Sequence, residues 1–199
     1  MSVNNEASLL HRGVQYLEDN KETRTGSWLA WTFLILVRWL VGLHLYSGEH
    51  VPPMFGDYEA QRHWMEITFN VPISEWYFNT TSNELLYWGL DYPPLTAYVS
   101  YLFGYVANIV EPSMVKLTSS RGYESATSRV FMRTSVLLCD VVLFMPAIHC
   151  MARVIYGSDN WTRRTTFCLL ILLQPAVLLI DHGHFQVLKL ETKMGTIRL

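Results

Sequence analysis

Three long apolar runs constrain the fold of this chain more than any other feature. They cover residues 28–45, 130–155 and 165–180. A membrane-spanning helix needs about 20 mainly apolar residues. The third run would be only about 24 Å long as a helix, so it needs its flanking residues or a thin bilayer to cross, and Pro175 is expected to kink it. These runs predict an all-α integral membrane protein.

The composition supports the same class. Half of the 199 residues are hydrophobic and 16% are charged, which is more apolar than an ordinary soluble domain. A net charge of -2 without any basic run excludes nucleic acid as a partner. Cys139, Cys150 and Cys168 lie in apolar stretches without a CxxC spacing, so neither a disulfide framework nor a zinc site is implied. Membrane lipid is the expected surrounding.

The distribution of basic residues predicts the orientation of the first run. Arg12, Lys21 and Arg24 precede it, whereas only Arg62 lies in the 20 residues that follow. Basic residues favour the cytosolic side, so the N-terminus is expected in the cytosol and the loop after the first run in the lumen. The chain start lacks the pattern of a cleaved signal peptide, so this run is expected to remain as an anchor.

Residues 93–110 are uncharged but rich in hydroxyl groups, so this segment can either cross the membrane or lie flat on it. Crossing would place Asp57 and Asp181 on opposite faces of the membrane. Charge counting is weak for loops longer than about 60 residues, and we adopt the flat arrangement. The predicted organisation is a cytosolic segment (1–27), a first span (28–45), a lumenal loop (46–129), a second span (130–155), a cytosolic loop (156–164), a third span (165–180), and a lumenal motif with a tail (181–199).

The lumenal loop contains two motifs of acids, aromatics and prolines. They are Pro-Pro-Met-Phe-Gly-Asp-Tyr-Glu-Ala-Gln-Arg-His-Trp at 52–64 and Tyr-Trp-Gly-Leu-Asp-Tyr-Pro-Pro-Leu-Thr-Ala-Tyr at 87–98. Both resemble the first extramembranous loop of the endoplasmic-reticulum glucosyltransferases that use dolichyl-phosphate glucose, and within that family the alpha-1,3-glucosyltransferase that adds the first glucose. Further matching motifs lie at residues 121–125, 131–134 and 181–186.

The resemblance implies a multi-span GT-C-type glycosyltransferase of the endoplasmic reticulum membrane, with interfacial helices in its large lumenal loop. The implied reaction transfers glucose from dolichyl-phosphate glucose to the terminal mannose of a dolichyl-diphosphate-linked high-mannose oligosaccharide, with inversion and without a metal or other cofactor. It also implies that Asp57 is the general base. From the residues alone, Asp57 is either such a base or the N-cap of a helix.

The segment after Asp57 contains further candidates for substrate binding. Arg62 can bind phosphate through two parallel hydrogen bonds, and Trp64 can stack on a sugar. Glu59 is four residues from His63, as Arg62 is from Glu66, a spacing that equally indicates a surface ion-pair ladder. Further aromatics with the same two interpretations, sugar stacking or membrane-interface anchoring, are Trp76, Tyr87 and Trp88.

Two other motifs complete the predicted site. Asp91 and Tyr92 are expected at the lip of the same cleft, although a turn before a helix explains them equally well. His182 and His184 follow Asp181, and we predict polar contacts from these histidines to the substrate. A metal is not expected there, because two histidines and one carboxylate are a weak ligand set.

Ionisable residues inside the predicted spans are expected to pair between helices; they are Arg38, Arg133, Asp140 and His149. Glycosylation sequons begin at Asn79 and Asn160. Only Asn79 is lumenal in the predicted topology, so it is the glycosylation candidate.

Two alternatives remain open at this point. Residues 187–199 depart from the family pattern, so the chain is expected to be a truncated form, which could be non-catalytic. The other alternative is a small membrane scaffold or channel in which Arg38 and Asp140 are pairing or pore residues. The scaffold predicts that substitution of Asp57 has no effect on glycan assembly.

Overall fold

The computed structural model describes residues 8–184, and all of the regular structure in that range is helical. Its α-helices are α1 (Leu9–Asp19), α2 (Thr23–Val41), α3 (Gly56–Asn70), α4 (Pro94–Val110), α5 (Ala126–Cys139), α6 (Met145–Tyr156), α7 (Trp161–Leu172) and α8 (Pro175–Leu178). Short 3₁₀ turns cover Ile73–Glu75 and Pro112–Met114, and π-helical turns cover Asp140–Phe144 and Leu179–His184. The all-α prediction is confirmed for these residues. The predicted tail at 187–199 lies outside them.

Side-chain caps explain where several of the helices begin. Ser8, Ser125 and Asn160 precede α1, α5 and α7, and each accepts a hydrogen bond from the backbone N–H three residues on. Such caps satisfy one of the N–H groups that have no partner within the helix. α6 ends before Gly157, which has a φ of 74°.

One continuous helical rod, Ala126–Tyr156, joins α5 and α6 through the π-helical turn. Within residues 8–184 it is the single helix that is long and apolar enough to cross a membrane. Trp161–Leu172 and Pro175–Gly183 meet the same requirement together, but they bend by 48° at the break between them. This bend lies where Pro175 predicted a kink.

The helix in the first apolar run differs from the predicted bounds. α2 begins at Thr23 and ends at Val41, whereas the run was placed at 28–45. Its first turn is polar, and it does not belong to the helices that meet the length and hydropathy of a span. Gly42 and the residues after it leave the helix and lead into an irregular loop. The predicted crossing by this segment stays a prediction.

Two packed regions share the long rod. The first joins α1, α2, α6 and α7 around the buried side chains of Val14, Leu34, Met145, Ala152, Leu169 and Leu172. The second is built around α3, in which nearly every residue from Tyr58 to Thr68 is buried. The lumenal loop of the prediction is therefore a folded helical region with its own core.

α4 packs closely against α3 because its contact face consists of small residues. This face contains Ala97, Ser100, Gly104 and Ala107. A Cβ atom on Gly104 would lie 2.7 Å from the carbonyl oxygen of Met65, so the two backbones nearly touch. The opposite face of α4 exposes large apolar and aromatic side chains, namely Leu95, Tyr98, Leu102, Tyr105 and Ile109.

Candidate active site

Asp57 lies in the first turn of α3, with its side chain partly exposed. The N-cap position is occupied by Phe55, whose backbone is left-handed (φ 54°) and whose side chain makes no capping bond. The alternative that Asp57 is itself the N-cap is therefore wrong. In the first turn, its carboxylate lies near the backbone N–H groups that have no partner within the helix.

Two glycines set the position of Asp57. Gly56 has a φ of 68°, and a Cβ atom there would lie 2.4 Å from the carbonyl oxygen of Ser47. Gly48 has a φ of 77°, and its Cβ atom would lie 2.3 Å from the backbone nitrogen of Gly56. Other residues rarely adopt this backbone conformation, and no side chain fits here. The loop before α3 thus folds back on itself immediately before Asp57.

The two acidic motifs of the sequence meet at this point. Burial, together with the charges of Asp91 and Asp57, raises the pKa of Tyr92. Its ring packs edge-on against Trp64, with a centroid distance of 5.0 Å. Asp91 is exposed beside it. The structure therefore brings together Asp57, Asp91, Tyr92 and Trp64, four of the residues predicted for the site.

Most of the aromatics predicted to face a sugar are buried in the protein core. The indole N–H of Trp64 donates to the carbonyl oxygen of Trp88 at 2.9 Å, and that of Trp76 donates to Val71 at the same distance. Tyr87 is also buried, and only Trp88 of this group is partly exposed. Their indole and ring contacts hold the loop between α3 and α4 in place.

Arg62 is fully buried and occupies the centre of a charged network. It donates two hydrogen bonds to Glu59, at 2.6 and 2.7 Å, and one to Glu66 at 2.7 Å. It also donates to the carbonyl oxygen of Met114 and to the hydroxyl of Ser120, at 2.7 and 2.6 Å. The predicted ladder of ion pairs exists in part, but it is not on the surface. It joins α3 to the segment 112–120.

The carboxylate of Glu66 is strongly stabilised in its ionised form within this network. Burial opposes its ionisation, but hydrogen bonds and charges from His63 and Arg62 outweigh that effect and lower its pKa to about 2. The backbone N–H of Thr118 donates to the same carboxylate at 2.6 Å. In the described structure the charged groups of Arg62 and Glu59 therefore have internal partners, and their contact with a substrate stays a prediction.

A second buried cluster joins three helical segments. Arg38 Nε donates to Asp140 Oδ2 at 2.7 Å, and His182 Nε2 lies 2.9 Å from the same oxygen. Arg38 also donates to the carbonyl oxygen of Leu172 at 3.0 Å, and Arg133 donates to the carbonyl oxygen of His182. The pairing expected between helices is present, with Arg38 and Asp140 as the partners.

His182 is only 4% exposed and points into this cluster. Its neighbour Asp181 is partly exposed and lines a cavity between α3, α4 and α5, which we call the inter-helix cavity. The cavity has a volume of about 260 Å³. Its polar lining consists of Gln61, Thr96, Ser100, Ser135, Asp140 and Asp181. The side chain of His184 lies outside the described part of the structure.

Asp181 is the residue that the sequence prediction passed over in favour of the histidines beside it. The motif at residues 181–186 was recognised in the sequence. Packing, however, determines that His182 is buried in this helical turn while Asp181 stays partly exposed. Gln61 could be anticipated, because it follows Asp57 by four residues and so shares its face of α3.

Asn79 lies in the exposed loop between α3 and α4. Its side-chain oxygen accepts a hydrogen bond from the backbone N–H of Leu85 at 3.1 Å. The bond uses the side-chain oxygen and not the amide nitrogen, the atom to which a glycan is attached.

Residues 34–188 match the family model described as the ALG6, ALG8 glycosyltransferase family. The chain belongs to this family. Membership of the ALG6, ALG8 family confirms the resemblance found in the two acidic motifs, and it makes this chain part of a membrane glycosyltransferase family. The matched residues include α3, α4 and the inter-helix cavity.

Curated relatives in the ALG6, ALG8 family are close in sequence. The chain is 52% identical over 152 residues to a probable dolichyl pyrophosphate Man9GlcNAc2 alpha-1,3-glucosyltransferase of Dictyostelium discoideum, covering 76% of this chain and 29% of the relative. It is 50% identical over 165 residues to the corresponding enzyme of Gallus gallus (80% and 32%), and 46% over 170 residues to that of Arabidopsis thaliana (84% and 32%). The chain spans about a third of the length of these relatives.

Proposed function

We propose that this chain takes part in glucose transfer from dolichyl-phosphate glucose to the terminal mannose of a dolichyl-diphosphate-linked high-mannose oligosaccharide, forming an alpha-1,3 bond. The names of its relatives support the reaction and the acceptor. The observation that supports it most directly is the position of Asp57. This acid lies in the first turn of α3, beside Asp91 and Tyr92, and one helical turn from the inter-helix cavity.

In the proposed reaction, Asp57 accepts the proton of the acceptor's 3-hydroxyl group. The freed oxygen attacks the anomeric carbon of glucose, and the bond between that carbon and the phosphate oxygen breaks. Dolichyl phosphate leaves with the electron pair. Attack from the face opposite to the phosphate converts the beta linkage of the donor into an alpha linkage. A phosphate leaving group needs no strong acid, so one base suffices and the proposal includes no metal.

The other predicted residues have supporting roles in this proposal. Asp91 and Tyr92 shape the entrance beside Asp57, where Asp91 is exposed to an incoming sugar, and the buried Trp64 supports the ring of Tyr92. Glu59 and Arg62 hold α3 through the buried network, and a contact with substrate would require them to exchange an internal partner.

His182 and His184 are proposed to act at the opposite end of the cavity. His182 supports that end through Asp140. The contact between His184 and the substrate follows from its motif alone.

We also propose the endoplasmic reticulum membrane as the location, with several crossings and with the region from 46 to 129 in the lumen. The rod Ala126–Tyr156 is the best candidate for a crossing. The arrangement of residues 93–110 flat on the membrane is supported by α4, which packs on α3 by its small residues and exposes apolar side chains on its other face.

The test measures glucose transfer from dolichyl-phosphate glucose to lipid-linked oligosaccharide in membranes that contain this chain. A parallel sample contains the chain with residues 187–199 replaced by the remaining part of the chicken relative. Asp57→Asn is expected to lower transfer about 10²- to 10⁴-fold, the usual contribution of a general base. Asp159→Asn, an exposed acid between α6 and α7, is the matched control and should leave transfer unchanged.

Each outcome decides between the alternatives. Transfer that persists in Asp57→Asn would overturn the assignment of Asp57 as the base, and no transfer in either sample would favour a scaffold. Transfer only in the extended sample would identify the 199-residue chain as a non-catalytic form that nevertheless contains the base.

A further inference from the structure

We propose that the inter-helix cavity binds the pyranose ring of a hexose and that Asp181 accepts hydrogen bonds from the hydroxyl groups of that ring. This inference rests on the proposed function, because it places one of the reacting sugars next to Asp57. It concerns residues that neither the family membership nor the relatives assign.

The position of the cavity relative to Asp57 is the first argument. Gln61 and Met65 line the cavity and follow Asp57 at intervals of four residues, so the three side chains lie along one face of α3. Four residues of α-helix rise about 6 Å. A sugar ring at the end of the cavity lined by Gln61 would therefore have its hydroxyl groups within about one helical turn of Asp57, the proposed base.

The lining of the cavity is the second argument. Hydroxyl and amide groups from three helices line the cavity together with the apolar side chains of Met65, Phe103 and Met132. A pyranose ring has the same mixed character, with hydroxyl groups at its edge and C–H groups on its faces. A few placed polar groups in an otherwise apolar pocket are typical of sites for small neutral ligands.

Asp181 is the third argument. No hydrogen bond reaches its carboxylate from any of residues 8–184, whereas the neighbouring Asp140 interacts with both Arg38 and His182. A carboxylate accepts hydrogen bonds at both oxygens, and Asp181 is partly exposed where it lines the cavity. The hydroxyl groups of a sugar are suitable donors.

The backbone around Asp181 is held in place, which makes it a suitable binding residue. The next residue, His182, is fixed by Asp140 through its side chain and by Arg133 through its carbonyl oxygen. A rigid support of this kind reduces the ordering that a ligand must impose on the site. Arg133 and Asp140 of the rod Ala126–Tyr156 thus help to fix the position of Asp181 through its neighbour His182.

Charge excludes the other obvious ligands of the cavity. Asp140 and Asp181 line it together, so the charged phosphate of the donor would be repelled from the cavity and only the neutral glucose ring is expected to enter it. Among the described residues, no group of three or more His, Cys, Asp or Glu side chains is placed to hold a metal ion. A neutral polyol is the class of ligand that fits both acids.

The experiment measures binding to the detergent-solubilised full chain by isothermal titration. One arm uses a short-chain polyprenyl phosphate glucose, and the other uses a methyl alpha-mannobioside, so that the donor and acceptor sources of the hexose are distinguished. Asp181→Asn keeps the size of the side chain but removes its charge, and it should weaken binding of one of the two probes roughly tenfold or more. Asp159→Asn should bind like the unsubstituted chain.

Gln61→Met is the second variant, because it keeps the length and helix propensity of the side chain while removing its amide. It should weaken binding of the same probe even if Asp181→Asn does not fold. Binding of neither probe, or equal binding by both variants and the unsubstituted chain, would overturn the inference. Binding that depends on Asp181 without glucose transfer in either the 199-residue or the extended sample would instead refute the proposed function and leave the sugar site supported.

Discussion

Arg38 Nε and Asp140 Oδ2 lie 2.7 Å apart although the two residues are separated by 102 positions in the chain. The guanidinium group is fully buried, and it also bonds to the carbonyl oxygen of Leu172. This ion pair joins α2 to the π-helical turn in the long rod. It also supports His182, and through it the segment that contains Asp181.

Removal of one partner of this pair should be more harmful than removal of both. Arg38→Met leaves Asp140 with a buried charge and only His182 beside it, which is expected to destabilise the protein by about 3–5 kcal/mol. In the double variant Arg38→Met, Asp140→Leu, the cost should be smaller. Thermal unfolding in detergent micelles measures both, and a double variant as unstable as the sum of the single ones would contradict the pairing.

Acid should weaken the folded region around α3 in a defined pH range. The pKa of Glu66 is lowered from 4.5 to about 2 in the fold, so its ionised form stabilises the folded state. This contribution is complete above pH about 4.5, amounts to about 3 kcal/mol, and is lost as the pH falls towards 2. Tryptophan fluorescence against pH should follow that loss.

Glu66→Gln should remove most of this pH dependence, because its amide does not titrate. Glu22→Gln, at an exposed position before α2, is the control and should retain it. An unchanged acid response in Glu66→Gln would show that another group determines the stability of α3 in this range.

Gly56→Ala should displace Asp57, the proposed base, although Asp57 itself is unchanged. The added Cβ atom would lie 2.4 Å from the carbonyl oxygen of Ser47, and the left-handed backbone adds strain. A shift of about 1 Å at a catalytic group can lower the rate about 10²-fold, so glucose transfer should fall by that order. Gly13→Ala in α1, where nothing lies within 4 Å of the new atom, should have no effect on transfer.

Glycan attachment should distinguish the two sequons. Asn79 lies in the region proposed to be lumenal, and we expect a glycan there that endoglycosidase removes and that Asn79→Gln abolishes. Asn160→Gln should leave the glycan in place. Mass analysis of the chain from microsomes measures both, and a glycan on Asn160 would invert the proposed topology.

The exposed face of α4 should respond to charge if this helix lies on the membrane. Leu102 is 60% exposed on the face opposite to α3. Leu102→Glu should therefore reduce the protection of α4 from hydrogen exchange in vesicles while leaving it unchanged in detergent. Thr127→Glu, an exposed position at the start of α5, provides the comparison.

Local patterns in the sequence were sufficient for the helical class and for the two acidic motifs. An apolar run or a proline affects the backbone within a few residues of itself, so the bend before Pro175 could be predicted from the sequence. The family followed from the motifs because their residues are contiguous. The ends of the helices were harder to predict: α2 ends at Val41 with Gly42 as its C-cap, although the apolar run continues to residue 45.

Burial was decided by the tertiary structure alone. A helix with the sequence of α3 has charged residues on several faces and looks solvent-exposed, yet Glu59, Arg62 and Glu66 are buried because Ser120 and the carbonyl of Met114 complete their hydrogen bonds. Such partners are more than fifty positions away in the chain, and no local pattern specifies them.

Local patterns in the chain thus identified the residues that are available for chemistry, and the packing of the helices selected those that lie at the inter-helix cavity. Asp57 and Asp181 belong to motifs separated by most of the chain, and they approach the same cavity only because α3, α4 and α5 pack together. His182, which looked equally suitable, is instead turned into the core by its contact with Asp140. The physical reason is that a buried ion needs a partner, and only the packed helices bring the partners together.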